Sequence, residues 1–273
     1  MLSAMNPPTS QARIWIAIPA YNAAAHVGGV VAGALRSGLP VLVIDDGSTD
    51  ETAAAAEQAG ALVLRHQANR GKGAALQTAF AFAQRRGAEA VLTLDADGQH
   101  DPDEIASLAA AWEQAPGSLV LGVRSFDPAL MPRRSRIGNR ISTFFISHFA
   151  HRRHSDTQTG FRIYPRRLFT LPLRTSRFDT ETEILLWASK LNVPLVEVPI
   201  QTIYRVPRPV PQQAPQQDAE AQDGPGSDTA APTTHFRNWE DTLRVLRLVI
   251  GSPWWRVNST ITAPIDHPKM EAN

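Results

Sequence analysis

Asp95-Ala96-Asp97-Gly98-Gln99-His100 follows the apolar run Val91-Leu92-Thr93-Leu94, so two carboxylates one residue apart and an amide two positions on stand at the end of a buried strand. Hard oxygen ligands of this kind suit a divalent cation such as Mg2+ or Mn2+. A cation there bridges the oxygens of a diphosphate and neutralises charge on a departing nucleoside diphosphate, which carboxylates alone repel. An Asp-x-Asp beside a glycine also occurs in solvated turns. The weight of the motif therefore depends on what accompanies it.

A second strand-to-acid junction lies upstream, where Val41-Leu42-Val43-Ile44 runs into Asp45-Asp46-Gly47-Ser48-Thr49-Asp50. Four apolar residues read as a strand buried on both faces, and Ser48 or Thr49 with acids behind it reads as a helix start near Asp50. Asp45 and Asp46 either hydrogen-bond a nucleotide's base and ribose, Asp46 above all, or cap that helix; Asp50 reads as a cap. A third junction, Ile14-Trp15-Ile16-Ala17-Ile18 into Pro19-Ala20-Tyr21-Asn22, ends in a proline-stiffened turn whose Tyr ring can lie against a base. Asn69-Arg70-Gly71-Lys72-Gly73 adds glycines and two cations before a helix. Without the Walker A spacing, Arg70 and Lys72 serve either donor phosphate or sugar, or the helix start. His66 and His100 stand near strand ends but are assigned no role.

Strands near 14–18, 41–44, 62–65, 91–94 and 119–122 alternate with helical patterns at 23–37, 50–59, 72–86 and 102–114. This is the rhythm of βαβ units in an α/β fold with a mostly parallel sheet. In such open sheets ligands sit at the carboxyl ends of the strands, where all three junctions fall.

Taken in order, Ile18-Pro-Ala-Tyr-Asn22, Val43-Ile-Asp-Asp-Gly-Ser-Thr-Asp50, Asn69-Arg-Gly-Lys-Gly73 and Leu94-Asp-Ala-Asp-Gly-Gln-His100 resemble the successive motifs of family 2 glycosyltransferases, closest to the dolichyl- and polyprenyl-phosphate sugar synthase branch. Asp156-Thr-Gln-Thr-Gly-Phe-Arg162, Glu183-Ile-Leu-Leu-Trp-Ala188 and Glu197-Val-Pro-Ile200 with Arg205 extend the likeness over about residues 13–206. The resemblance implies a GT-A-type, Rossmann-like three-layer sandwich. It implies Asp95, Asp97 and Gln99 on a Mg2+ or Mn2+ ion, and Pro19, Tyr21, Asp46, Lys72, Asp95, Ala96 and Arg124 around the nucleotide sugar. Asp97, Asp156, Arg162, Glu183 and Arg205 would carry the reaction, with Arg205 near the phosphates and Arg162 holding an anionic group. Asp156 and Glu183 are the carboxylates available as a base, and Glu183 alternatively satisfies a neighbouring loop. Three departures bear on recognition: Ala23 replaces the acid usual after Tyr-Asn, Gly122-Val-Arg124 replaces Gly-Ser-Arg, and a proline-rich insertion follows Arg205.

The implied activity is inverting, metal-dependent transfer of a hexose from a GDP- or UDP-linked donor to an acceptor, a polyprenyl phosphate or other lipid-linked one. A sugar nucleotidyltransferase would show a glycine-rich basic loop after the first strand, which Pro19-Ala-Tyr-Asn22 does not supply. A non-catalytic nucleotide-binding module is the third alternative, which the intact acids and arginines oppose.

Composition agrees with this organisation. At 273 residues, 43% hydrophobic and 19% charged, the chain can bury one large core. A formal charge of +1 gives no global reason to expect nucleic acid as a partner, and zero cysteines exclude disulfides and thiol chemistry. Residues 1–12 read as a flexible start, 13–206 as the catalytic domain, 207–234 as a disordered Pro/Gln-rich loop and 235–273 as an amphipathic helix and tail. Neither a signal peptide nor a run of roughly 20 apolar residues is read. The expected location is the cytoplasm; 141–149 and 239–255 mix aromatic and apolar positions with basic flanks, and the latter suits either a helix docked on its own domain or an interfacial helix in peripheral contact with a membrane, the option that the resemblance to lipid-phosphate enzymes favours.

Overall fold

The computed structural model describes residues 12–124, 159–176 and 179–201. The elements in chain order are β1 (Ile14–Ala20), α1 (Ala24–Leu35), β2 (Val41–Asp45), α2 (Thr52–Gln58), β3 (Leu62–Arg65), α3 (Lys72–Arg85) and β4 (Ala90–Thr93). They continue with α4 (Ile105–Gln114), β5 (Leu119–Arg124), β6 (Arg162–Pro165), α5 (Asp179–Lys190) and β7 (Leu195–Ile200).

The described strands form one sheet in the order β3-β2-β1-β4-β6-β5-β7. β3, β2, β1 and β4 run parallel; β6 is antiparallel to both β4 and β5, and β5 is parallel to β7. The strands read as nearly unbroken apolar runs because both faces are covered. Trp15 and Ala17 of β1, Leu42 and Ile44 of β2 and Leu119 and Leu121 of β5 pack beneath Leu76, Phe80 and Ala83 of α3 and Ile184 and Leu185 of α5. The alternate residues, among them Ile16, Ile18, Val43, Leu92 and Val120, meet Val27 and Val31 of α1, Ala56 of α2 and Leu108 and Trp112 of α4. The result is the expected three-layer sandwich.

Two elements escaped the apolar pattern. β6 is Arg-Ile-Tyr-Pro and β7 carries Glu197 and Pro199, so neither reads as a buried strand on its own. α2 begins at Thr52, not Asp50. The Asp50 carboxylate accepts from the backbone N–H of Ala24 at 3.1 Å and of Thr52 at 3.1 Å, and from the Thr52 hydroxyl, so one exposed side chain serves the first turns of two helices. No helix among the described residues is long and apolar enough to cross a membrane. The expectations for residues 1–11, 141–149, 207–234 and 235–273 lie outside the described residues.

Candidate active site

Parallel pairing brings the ends of β1, β2 and β4 to one edge of the sheet, with Ala20 opposite Asp45 and Ala17 opposite Thr93. Antiparallel β6 delivers its first residue to that same edge, because Arg162 pairs with Thr93. The segment Thr159-Gly160-Phe161 therefore meets the acidic tip of β4. Thr93 Oγ1 donates to the Gly160 carbonyl at 2.7 Å, and a Cβ on Gly160 would collide with the Asp95 carboxylate, so glycine is what lets the acid settle there.

Asp95 is held from three directions. Lys72 Nζ lies 2.6 Å from its Oδ1, His100 Nε2 lies 3.5 Å from its Oδ2, and Gly160 closes the third side. The His100 ring packs on Phe161 at 5.3 Å between centroids. Burial alone would raise the Asp95 pKa, but Lys72 and His100 outweigh it and hold the carboxyl well below the usual range. Burial likewise opposes charge on Lys72, yet Asp95 and Glu181, the latter 3.1 Å away, raise its pKa above the ordinary lysine value. Lys72, expected beside the donor, here pairs with these two protein carboxylates.

Asp97 behaves differently. It is exposed, and its Oδ1 accepts from the Gln99 backbone N–H at 2.9 Å in a tight turn whose amide side chain, Gln99, is also exposed. Ala96 between the two acids is buried. Among the described residues no three His, Cys, Asp or Glu side chains cluster as a ready cation cage. Of the expected trio, Asp95 pairs with Lys72, while Asp97 and Gln99 are exposed.

Asp46 also differs from the expected ribose or base contact. Its Oδ1 accepts from His66 Nδ1 at 2.6 Å and from the Arg70 N–H at 3.0 Å, and its Oδ2 from the Gly71 N–H at 2.7 Å. These amides are the ones a phosphate-cradling loop would have offered. The turn is packed close, since Gly47, at φ +75°, has no room for a Cβ against the Ala68–Asn69 backbone. Asp45 accepts from the Ser48 N–H at 2.9 Å and pairs with Arg65 Nε at 3.1 Å. Asn22 binds backbone, accepting from the Thr49 N–H at 2.9 Å. Pro19 is half-buried, and Tyr21, 46% exposed, leaves its ring open at the end of β1.

Arg162 and Glu183, expected to carry the reaction, are both described. Arg162 is fully buried, with Nε donating to the Thr159 carbonyl at 2.7 Å and Nη1 to the Glu181 carbonyl at 3.1 Å, so it ties β6 to α5. Glu183 is buried as well. Its oxygens accept from the N–H groups of Arg174 and Thr175, each at 3.0 Å, and from the Thr175 hydroxyl at 2.7 Å, the loop-satisfying alternative. Asp156 and Arg205 lie outside the described residues; Arg124 is the last residue of β5. Sequence reasoning missed Glu181, Gly160 and the use of His66. Only the glycine carried a signal, its place before an apolar-aromatic strand start.

Residues 15–171 match the model of the family described as Glycosyl transferase family 2. The chain is similar to the UDP-N-acetylglucosamine–dolichyl-phosphate N-acetylglucosaminyltransferase of Methanococcus voltae, 29% identical over 70% of this chain and 86% of that protein. It is also similar to the undecaprenyl-phosphate mannosyltransferase of Micrococcus luteus, 27% identical over 71% and 84%. The glucosyl-3-phosphoglycerate synthase of Mycobacterium tuberculosis, solved with Mn2+, uridine diphosphate and phosphoglyceric acid, shares the GT-A fold at a TM-score of 0.59, with 21% identity and 72% of each chain covered. The order of motifs, the acidic tip of β4 against Gly160 and a family match over more than half of the sequence lead to one conclusion: the chain belongs to glycosyl transferase family 2 and is a glycosyltransferase.

Proposed function

We propose that the chain moves a hexose from a GDP- or UDP-linked donor to a polyprenyl phosphate or related lipid-linked acceptor, in a single displacement that inverts the anomeric carbon. The division of labour after β4 carries this reading: Asp95 is paired with Lys72 and seated on Gly160, whereas Asp97 and Gln99 are exposed at the same strand end. Mg2+ is commonly held by one or two carboxylates with substrate phosphates completing its shell. Asp97 and the Gln99 amide fit such a shared site for Mg2+ or Mn2+; Asp95 does not. Bound there, the cation would draw charge off the departing diphosphate.

The chain's own residues supply the rest. Tyr21 offers an open ring face to the base beside Pro19. Asp95 keeps 27% of its side chain exposed and, fixed by Lys72, can accept a donor hydroxyl. Arg124 and Arg205 remain the proposed phosphate contacts and Asp156 the acceptor-side carboxylate. Glu183 is spent on its loop, and a phosphate acceptor, already anionic, needs no strong base. The dolichyl- and undecaprenyl-phosphate acceptors in the names of the two relatives support this acceptor class. Such an acceptor would bring the crevice to a membrane surface.

A thermal-shift screen of GDP- and UDP-sugars with and without Mn2+ tests the donor, since a ligand of the native state raises Tm. Label from the stabilising donor is then followed into organic extracts containing polyprenyl phosphate. One donor is expected to stabilise only with the cation and to label the lipid; no transfer from any donor in the panel overturns the reading.

A further inference from the structure

We infer that His66 is a positioning residue for the transfer reaction: it aims the Asp46 carboxylate so that the Arg70–Lys72 turn sets the Lys72 ammonium on Asp95. This rests on the reading of the β4 edge as the donor site. His66 directly follows β3, and its backbone N–H donates to the Asp45 carbonyl at 2.8 Å, so the backbone of the ring is tied to the end of β2. His66 is only 8% exposed. Its Nδ1 stands 2.6 Å from Asp46 Oδ1 and its Nε2 2.9 Å from Thr78 Oγ1, in the second turn of α3. Thr78 Oγ1 in turn reaches the Ala74 carbonyl at 3.0 Å.

An ionised carboxylate only accepts, so the proton at that contact belongs to Nδ1. The same Asp46 carboxylate takes the Arg70 and Gly71 N–H groups, and Gly71 immediately precedes Lys72, the first residue of α3. From Lys72 the path continues to Asp95 at 2.6 Å and to Glu181 at 3.1 Å. An apolar side chain in its place offers Asp46 no donor. Only a donor there fixes which way Asp46 points, and a mis-aimed Asp46 releases the two amides that define where α3 begins. Residues that orient a working group from behind typically change activity by about 10- to 100-fold when removed.

The test uses the full chain with His66→Leu, His66→Asn, Lys72→Met and the His66→Leu/Lys72→Met pair, reading transfer kinetics and amide hydrogen exchange at Arg70 and Gly71. His66→Leu is expected to speed exchange at both amides and to lower kcat by about 10- to 100-fold. His66→Asn, whose amide N–H sits near the place of Nδ1, is expected to restore most of both. In the Lys72→Met background the further loss from His66→Leu should shrink to under about twofold, because residues acting through one another are not additive. Wild-type protection at Gly71 in His66→Leu overturns the inference whether or not transfer is detected, and so does full additivity with Lys72→Met. Wild-type protein that transfers from no donor removes the proposed function, while exchange still decides the role of His66. Should His66→Leu fail to fold, His66→Asn is compared with His66→Gln, whose amide reaches toward Thr78 instead; equal exchange at Gly71 in the two overturns the inference.

Discussion

Lys72 Nζ lies 2.6 Å from Asp95 Oδ1 and 3.1 Å from Glu181 Oε1, so one ammonium joins the start of α3 to the acidic end of β4 and the first turn of α5. Removing it leaves two carboxylates facing each other in a largely enclosed space. Lys72→Met should lower the unfolding free energy by about 2–4 kcal/mol, at the lower side of a broken buried pair because Asp95 keeps some solvent contact. Adding Asp95→Asn should return part of that loss. Urea denaturation of the single and double variants checks both.

The same pair fixes a pH window. Asp95 has a folded pKa below its unfolded value near 3.9, so its stabilisation is present above about pH 4 and is lost as pH falls toward the folded value. Lys72 has a folded pKa above its unfolded value near 10.4, so its share is complete below about pH 10 and is lost as pH rises through the folded value. Wild-type stability should therefore hold a plateau from about pH 5 to about pH 10 with respect to this pair. Lys72→Met should lose part of the acid slope and of the alkaline slope, read from urea midpoints across pH.

Asp97→Asn should abolish transfer while changing stability by no more than about 0.5 kcal/mol, since the side chain is exposed and its turn bond to Gln99 can be kept by the amide oxygen. Weakened Mn2+ binding in the presence of the nucleoside diphosphate, followed by electron paramagnetic resonance, provides a readout apart from turnover. Full activity in Asp97→Asn contradicts the cation assignment.

Glu183→Ala should act in the opposite sense. Three donors from Arg174 and Thr175 lose an acceptor in a partly buried loop, so the loss is held below the about 1–3 kcal/mol of a fully buried orphan for each. A large drop in Tm with kcat preserved in the folded fraction is expected. Intact stability with lost turnover would restore Glu183 as a reacting base.

Gly160→Ala forces a methyl group onto the Asp95 carboxylate, which must move away from Lys72 or from the sheet edge. Loss of transfer with a loss of stability of about 1–3 kcal/mol is expected from overpacking at such a contact.

The sheet's parallel half was legible because Ile14–Ile18 and Val41–Ile44 are apolar on both faces and Val91–Leu94 is apolar but for Thr93, and the strand ends were legible because each of those runs leads into a polar turn. β6 and β7 were not, since Arg162 and Pro165 in one and Glu197 and Pro199 in the other break the apolar pattern, and a strand so marked is recognised only by what pairs with it. At the site, residue types were readable but commitments were not. Asp45, Asp46, Asp95 and Asp97 look alike in the chain; tertiary partners contributed by Arg65, His66, Lys72 and Gly160 separate the three acids engaged within the protein from Asp97, which is exposed. Arg162 and Glu183 show the same limit, because a charged residue near a motif says nothing of whether a carbonyl or an amide has already claimed it.

The reversed direction of β6 puts both Arg124 and Thr159 on the rim that bears Asp95. The stretch of chain between them thus leaves and re-enters at one place. Both anchor points lie beyond the last paired residues of β6 with β4 and β5, so neither register sets the length of that connection.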